Sequence, residues 1–154
     1  MKSPILSLKN WKSDFKIFWT NVNRIRNSKH CGIHVNISRN AITERRFPCI
    51  FRFLKNNRNQ FKKLSGRKDF YYTNFNLSHD RYYSVLSSRK TLAFEFRLFA
   101  ATKENSAISM ETAHLLFSHI DNYDFTWNDF CKVALEDKKY KTLAKKIKKL
   151  DLAA

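Results

Sequence analysis

Apolar side chains recur at helical spacing along much of the chain and alternate with polar ones in only a few short stretches. Residues 7–27 follow the helical period behind a capping Ser7, and residues 40–65 follow it again. Pro48 predicts an interruption of the second segment, which therefore forms one helix or two helical pieces. The last third of the chain predicts three more helices, at residues 109–121, 126–136 and 138–150.

Capping residues mark three of the predicted helix ends. Ser109 opens the first helix of the last third, and Thr126 with Asp129 matches a capping box before the next one. Gly66 follows residues 40–65 and suits the left-handed conformation that ends many helices. These boundaries are therefore expected to be set locally.

A period of two predicts short strands between the helices. It is clearest at residues 91–100, where Phe94 and Phe96 alternate with Glu95 and Arg97. This alternation places Glu95 and Arg97 on the same face of the strand. Strands are predicted near residues 31–38, 70–76, 81–87 and 91–100.

Composition indicates a folded basic domain. The 154 residues are 43% hydrophobic, including 14 Phe, and contain only 2 Gly and 2 Pro, which argues against disorder. The formal net charge is +17, and residues 1–90 hold 20 basic and 4 acidic side chains. Such a surface attracts polyanions, of which nucleic acid is the commonest inside cells. A plain basic domain without a nucleic-acid partner is the alternative interpretation.

Basic residues concentrate beside the predicted helix at 40–65 and on the N-terminal helix. Residues 39–68 contain ten bases and a single acid, Glu44. We expect this segment to touch phosphates or a groove of double-stranded DNA, and the N-terminal helix and the lysine-rich C-terminal tail to add backbone contacts. The candidate contact residues are Arg39, Arg45, Arg46, Arg52, Lys55, Arg58, Lys62, Lys63, Arg67, Lys68, Lys12, Lys16, Arg24 and Arg26.

The three cysteines, Cys31, Cys49 and Cys131, match neither a disulfide framework nor a zinc-ligand spacing. They are expected to be reduced and buried, in an intracellular protein. No apolar stretch approaches the roughly 20 residues of a membrane span, so no membrane partner is expected.

Five motifs in order carry a family resemblance over residues 31–150. The first is the Gly-x-His strand of residues 31–38, ending in Ser38-Arg39, and the second is Ser65-Gly66-Arg67-Lys68. Residues 82–86, 91–99 and 126–141 supply the rest. Together they resemble the C-terminal half of the phage-type amidoligases, which are carboxylate–amine ligases with a glutamine-synthetase-like fold.

The resemblance implies an α+β fold, with a small antiparallel sheet of about three or four strands packed with helices. It covers residues 31–150 as a half-domain, and residues 1–30 add a basic helix within a single domain over 1–154. It implies that His34 and Glu95 stand where the family holds magnesium. Arg97 stands where the family contacts a phosphate or a substrate carboxylate.

The sequence departs from the family in ways that argue against catalysis. Asn36 occupies the place of a second His, and Ala100 or Ala101 that of a small Gly. The family's first half, with its further carboxylates, is expected to be missing, and one His and one Glu do not complete a magnesium site. We therefore expect no metal, no cofactor and no catalytic residue, with Mg-ATP reserved for the ligase alternative.

The three residues that match the family's functional positions, His34, Glu95 and Arg97, also have a structural explanation. His34 is interpreted as an inherited structural residue, and Glu95 with Arg97 as a cross-strand ion pair. A nicking enzyme would need a second His in place of Asn36. The aromatic residues around the predicted middle strands could stack bases or simply fill the sheet core; they are Tyr71, Tyr72, Phe75, Tyr82 and Tyr83.

The leading hypothesis is a DNA-binding protein built on a degenerate ligase half-domain. We expect a phage or mobile-element repressor that acts as a homodimer in the bacterial cytoplasm and is not an enzyme. One alternative is an ATP-dependent amidoligase half that needs a partner chain. A further alternative is an RNA-binding or inhibitor protein.

Overall fold

The computed structural model describes residues 28–41, 45–67, 75, 85–87 and 93–152. Within these residues the fold is α+β, as predicted. The helices are α1 (Arg46–Asn56), α2 (Arg58–Ser65), α3 (Lys103–His119), α4 (Trp127–Glu136) and α5 (Lys141–Lys149), with 3-10 turns at Arg39–Ala41 and Lys138–Tyr140. The strands are β1 (Ser28–Gly32), β2 (Val35–Ser38), β3 (Leu86–Ser87), β4 (Ala93–Phe96) and β5 (Ala100–Ala101). The predicted helix at 7–27 and nearly all of the predicted strand at 70–76 lie outside the described residues.

The described strands form two antiparallel sheets rather than one. The three-stranded sheet has the order β2-β4-β3, with Val35 opposite Phe96 and Ser38 opposite Ala93. The two-stranded sheet pairs β1 with β5, and Gly32 lies opposite Ala100. The single strands predicted at 31–38 and 91–100 are therefore each divided between the two sheets.

Short irregular stretches separate the paired segments. At one break Ile33 donates its backbone N–H to the carbonyl of Phe99, at 2.8 Å. At the other, Arg97 donates its N–H to the carbonyl of Val85, at 2.9 Å. The backbone groups thus stay bonded while the chain changes partner, because leaving buried N–H groups unbonded costs free energy. The apolar alternation runs across both breaks, so it could not have located them.

The predicted interruption of the helix at 40–65 occurs at a different residue. Pro48 lies in the first turn of α1, where a missing N–H costs no helical bond, so the helix continues through it. The break comes at Asn57, between α1 and α2. Its backbone N–H and its side-chain amide both donate to the carbonyl of Phe53, at 3.1 Å and 2.9 Å. Asn57 therefore closes α1, and the chain begins a new helix at once.

The third helix begins earlier than predicted. Lys103 opens α3, and the hydroxyl of Thr102 caps it by accepting the N–H of Asn105, at 3.2 Å. Ser109, predicted to be the cap, is buried inside the helix and donates its hydroxyl to the carbonyl of Ser106. Serine within a helix commonly bonds back to the preceding turn, so its presence alone does not mark a start.

Of the last two helices, α4 begins as the sequence predicts, whereas α5 begins at Lys141, three residues later than predicted. Thr126 and Asp129 form the predicted capping box before α4. Residues 138–140 form a 3-10 turn rather than the first turn of an α-helix. The buried carboxylate of Glu111 accepts the backbone N–H of Leu143 at 2.7 Å, which caps α5 from a neighbouring helix.

Aromatic side chains hold α1, α2 and α4 together. Phe53 and Phe61 meet edge to face, with ring centroids 5.8 Å apart. Phe61 meets Trp127 in the same way at 5.3 Å, and Trp127 stacks on Phe130 at 4.9 Å. Because Phe61 is fully buried, its truncation to alanine would cost about 3–5 kcal/mol. This packing fixes α1 and α2, and with them the exposed basic residues that both helices carry.

Candidate functional site

Glu95 is a buried carboxylate at the centre of a polar cluster. It lies on β4 with 4% of its surface exposed, and the other three residues of that strand are apolar. The guanidinium of Arg97 donates to its Oε2, with Nε at 2.8 Å and Nη2 also bonded. A buried carboxylate needs such a partner, because burial of an uncompensated charge is costly. The predicted ion pair therefore exists, but it runs along one chain segment rather than across strands.

His34 completes the second side of this carboxylate. Its Nδ1 lies 3.2 Å from Oε1 of Glu95, and about half of its side chain is exposed. Burial lowers the pKa of His34, and Arg97 and Arg67 lower it further, which together outweigh the opposing effect of Glu95. The imidazole is therefore neutral at pH 7 and donates Nδ1–H to Glu95, which leaves Nε2 as the basic nitrogen.

Arg67 joins the cluster from the end of α2. Its guanidinium occupies the space beside Gly32, where an added Cβ would overlap Nη2 and would lie 3.7 Å from Nε2 of His34. Gly66 ends α2 in the left-handed conformation, with φ 66°, as the sequence predicts. The buried amide of Asn105 fixes this turn by donating to the carbonyls of Ser65 and Ala100, at 2.9 Å and 3.2 Å.

The four residues His34, Arg67, Glu95 and Arg97, which we call the Glu95 cluster, come from three separate parts of the sequence. With His34 neutral, they carry two positive charges and one negative charge. This arrangement favours an anionic group such as a phosphate or carboxylate over a cation. No three His, Cys, Asp or Glu side chains converge to hold a metal ion in the part of the chain that the structure describes.

The second candidate site is the exposed side of α1 and α2. Residues 45–67 contain eight basic residues and no acidic one. Six of the eight are exposed, and we call them the basic surface: Arg45, Arg52, Lys55, Arg58, Lys62 and Lys63. Asn56 and Asn59 are exposed among them. These polar positions and the buried residues Phe51, Phe53, Phe61 and Leu64 recur with the helical period. The same pattern therefore places one side of each helix in the core and the charged side in solvent.

Other predicted contact residues are engaged with the protein itself. Arg46 donates to the carbonyl of Phe117 at 3.3 Å, and Arg39 lies over the ring of Phe94 at 4.9 Å. Arg67 belongs to the Glu95 cluster. Several predicted residues lie outside the described ranges: Lys12, Lys16, Arg24, Arg26, Lys68, Tyr71, Tyr72, Tyr82 and Tyr83.

Two further side-chain arrangements, one buried and one exposed, were not predicted from the sequence. The buried Tyr140 hydroxyl lies 2.8 Å from Nδ1 of His114 and 3.2 Å from Nε2 of His119. Burial raises the pKa of Tyr140 to about 12, and Asp137 and Glu111 act in the same direction. The other feature is Tyr123, which is 54% exposed and lies beneath the guanidinium of Arg52. Neither feature has a signal in the sequence, since His114 and His119 are five residues apart and do not share a helix face.

Two predicted cysteine positions are confirmed as buried free thiols, Cys49 and Cys131. Burial raises the pKa of Cys131 to about 11, so this thiol is not a nucleophile at neutral pH.

Among the described helices, none is both long and apolar enough to cross a membrane. Comparison of the chain with protein-family models, curated proteins and solved structures gave no match. Function must therefore be argued from the two sites themselves.

Proposed function

We propose that the protein binds double-stranded DNA through the basic surface of α1 and α2. The observation that carries this proposal is the set of six exposed cations within a segment that contains no acid. DNA presents regularly spaced phosphates, and cations that neutralise them release condensed counterions, which drives association. The aromatic core beneath α1 and α2 holds these cations on a rigid support, so little order is lost on binding.

Exposed amides add a means of reading bases. Asn56 and Asn59 lie between Lys55, Arg58 and Lys62 on the same two helices. Side-chain amides of this kind bond to adenine in the major groove, whereas lysine and arginine bond mainly to phosphates and guanine. The surface therefore has groups for positioning and groups for recognition.

Charge reversal tests the proposal directly. Arg52 and Arg58 are changed to Glu together, and affinity for a duplex is measured by fluorescence anisotropy at low and moderate salt. We expect a loss of at least about tenfold, since each phosphate contact contributes to the electrostatic free energy. The matched control changes Lys145 and Lys148, which are exposed on α5, to Glu and alters the net charge equally. Equal losses in the two variants, or no salt-sensitive binding by the unaltered protein, would refute the proposal.

A repressor role and a homodimer are finer predictions that follow from this proposal. A dimer would double the contacts and read a site with two-fold symmetry. Size-exclusion chromatography with light scattering tests the first point. Protection of a symmetric DNA site in a footprinting experiment tests the second.

The Glu95 cluster favours a second candidate, an ATP-dependent carboxylate–amine ligase half completed by a partner chain. Of the residues that the resemblance marks as functional, His34 and Arg97 both contact Glu95, and Arg67 adds a further guanidinium. Arginines beside a phosphate neutralise the charge that develops during phosphoryl transfer. Calorimetry with Mg-ATP tests this candidate. Binding that disappears in Glu95→Ala supports it, and absence of heat with the unaltered chain refutes nucleotide binding by this half.

A further inference from the structure

Tyr123 is an aromatic side chain that the fold holds in an exposed position. It lies at the centre of the loop between α3 and α4, where the side chain of Asn122 accepts the N–H of Asp124 at 3.0 Å. On one side of the loop the carbonyl of Asp121 lies 3.9 Å from Sγ of Cys49, whose single proton has a shorter contact, 3.5 Å, with the carbonyl of Arg45. On the other side Phe125 packs edge to face on Phe53, with ring centroids 5.4 Å apart.

Tyr123 differs in solvent exposure from Phe125, the apolar residue that follows it in the loop. Phe125 is drawn toward the core, whereas Tyr123 keeps 54% of its surface in solvent. Among the described residues, Tyr123 and Leu135 are the exposed large hydrophobic side chains. Tyr123 is therefore exposed within a loop whose Phe125 packs on the core.

Arg52 connects this aromatic ring to the basic surface. Its guanidinium carbon lies 5.0 Å from the centroid of the Tyr123 ring, within the range of a cation–π contact. The ring is thus adjacent to Arg52, one of the six cations of the basic surface. A nucleic acid held there would have its bases within reach of the exposed ring.

Two carboxylates close to Tyr123 in the sequence offset the attraction that Arg52 has for a phosphate at the ring. The exposed carboxylates of Asp121 and Asp124 flank Tyr123 and repel phosphate oxygens. A base is uncharged, and every base has a face that can stack on an aromatic ring. A cationic surface beside an exposed ring is the combination found where proteins hold unpaired nucleotides.

We infer that Tyr123 stacks on an unpaired base, so that the protein prefers DNA containing unpaired nucleotides over a fully paired duplex. This inference rests on the proposed function, because the basic surface supplies the phosphate contacts. Stacking on one aromatic side chain changes affinity by about fivefold to more than a hundredfold. A base buried in a duplex cannot reach the ring, so the preference requires unpaired bases.

The test compares a duplex with the same duplex carrying a central bubble of unpaired bases. Affinities are measured for the unaltered protein, for Tyr123→Ala and for Tyr123→Phe. We expect the unaltered protein and Tyr123→Phe to bind the bubble at least about fivefold more tightly than the duplex. Tyr123→Ala should lose this preference while its affinity for the duplex stays the same. Circular dichroism and thermal unfolding check that the variants fold.

The outcomes separate this inference from the proposed function. Equal affinity of the unaltered protein for duplex and bubble would overturn the inference but leave duplex binding intact. A preference that persists in Tyr123→Ala would also overturn it. Binding to the bubble without binding to the duplex would instead support the inference and overturn the double-stranded partner. Failure to bind either DNA would refute both.

Discussion

The guanidinium of Arg67 occupies the space that a Cβ atom would fill at Gly32, with its Cζ 3.0 Å from that position. An added methyl group at Gly32 would therefore have to displace this guanidinium, which is the far end of a flexible side chain from a distant part of the sequence. The backbone at Gly32 is not left-handed, in contrast to Gly66. This contact brings Arg67 to the Glu95 cluster.

Gly32→Ala should displace the Arg67 guanidinium because the new methyl group overlaps it. Since the guanidinium is the far end of a flexible side chain, the loss of stability in urea unfolding should be smaller than the cost of an overpacked core, about 1–3 kcal/mol. Combining it with Arg67→Ala removes the clash, so the double variant should lose less stability than the sum of the two single changes. Strict additivity would show that the two side chains do not compete for this space.

Glu95→Gln should strongly destabilise the folded protein because it leaves the positive charge of Arg97 without its carboxylate partner. Arg97 is largely buried against this carboxylate, and removal of one partner of a buried pair costs about 3 kcal/mol. Glu136→Gln, at an exposed position on α4, is the matched control and should change the free energy of unfolding very little. Equal effects of the two substitutions would contradict the buried ion pair.

Stability should fall as the pH drops through the range below about 6.5. Burial lowers the pKa of His114, helped by Lys139 and His119 against Asp137, and burial also lowers the pKa of His34. The unfolded chain, whose histidines titrate near about 6.5, therefore binds protons before the folded protein does. Proton uptake then favours unfolding until the pH reaches the folded pKa values.

The histidine prediction is checked by two measurements. Unfolding free energies between about pH 7.5 and pH 5.5 should decline, and the decline should be shallower in His114→Asn. NMR titration should give midpoints for His34 and His114 below about 6.5. Midpoints above that value would mean that the carboxylates dominate both sites.

DNA binding through the basic surface should be steeply dependent on salt. Six phosphate contacts predict a slope near about −5 in a plot of log K against log salt, or about a thousandfold loss between about 50 and 200 mM. Lys55→Gln should reduce the slope by about one unit and weaken all sequences alike. A slope close to zero would exclude a phosphate-binding role for these cations.

Features of the fold that depend on neighbouring residues could be predicted from the sequence. The capping box of Thr126 and Asp129 joins positions within one turn, so its residue types are sufficient evidence. The same holds for the left-handed cap at Gly66 and for the shared face of Glu95 and Arg97. The alternation of apolar and basic residues on α1 and α2 likewise predicts which side faces solvent.

Features that depend on distant partners could not be predicted in this way. The apolar alternation at residues 91–100 continues through the point where β4 ends, since both sides of the chain are buried there. The division into two sheets is set by backbone bonds to Val85 and Ile33. The early start of α3 at Thr102 went unrecognised because Ser109 offered an equally suitable cap.

The sequence was sufficient for the helical and strand periods, the capping box of Thr126 and Asp129, the left-handed cap at Gly66, the excess of positive charge and the shared face of Glu95 and Arg97. All of these arise from residue types and spacings along a few turns of chain. The tertiary structure alone decided that Arg67 reaches Gly32, that His34 bonds to Glu95 and that Tyr123 lies beside Arg52. Each of these contacts joins segments that packing brings together, and no local pattern records which segments will meet.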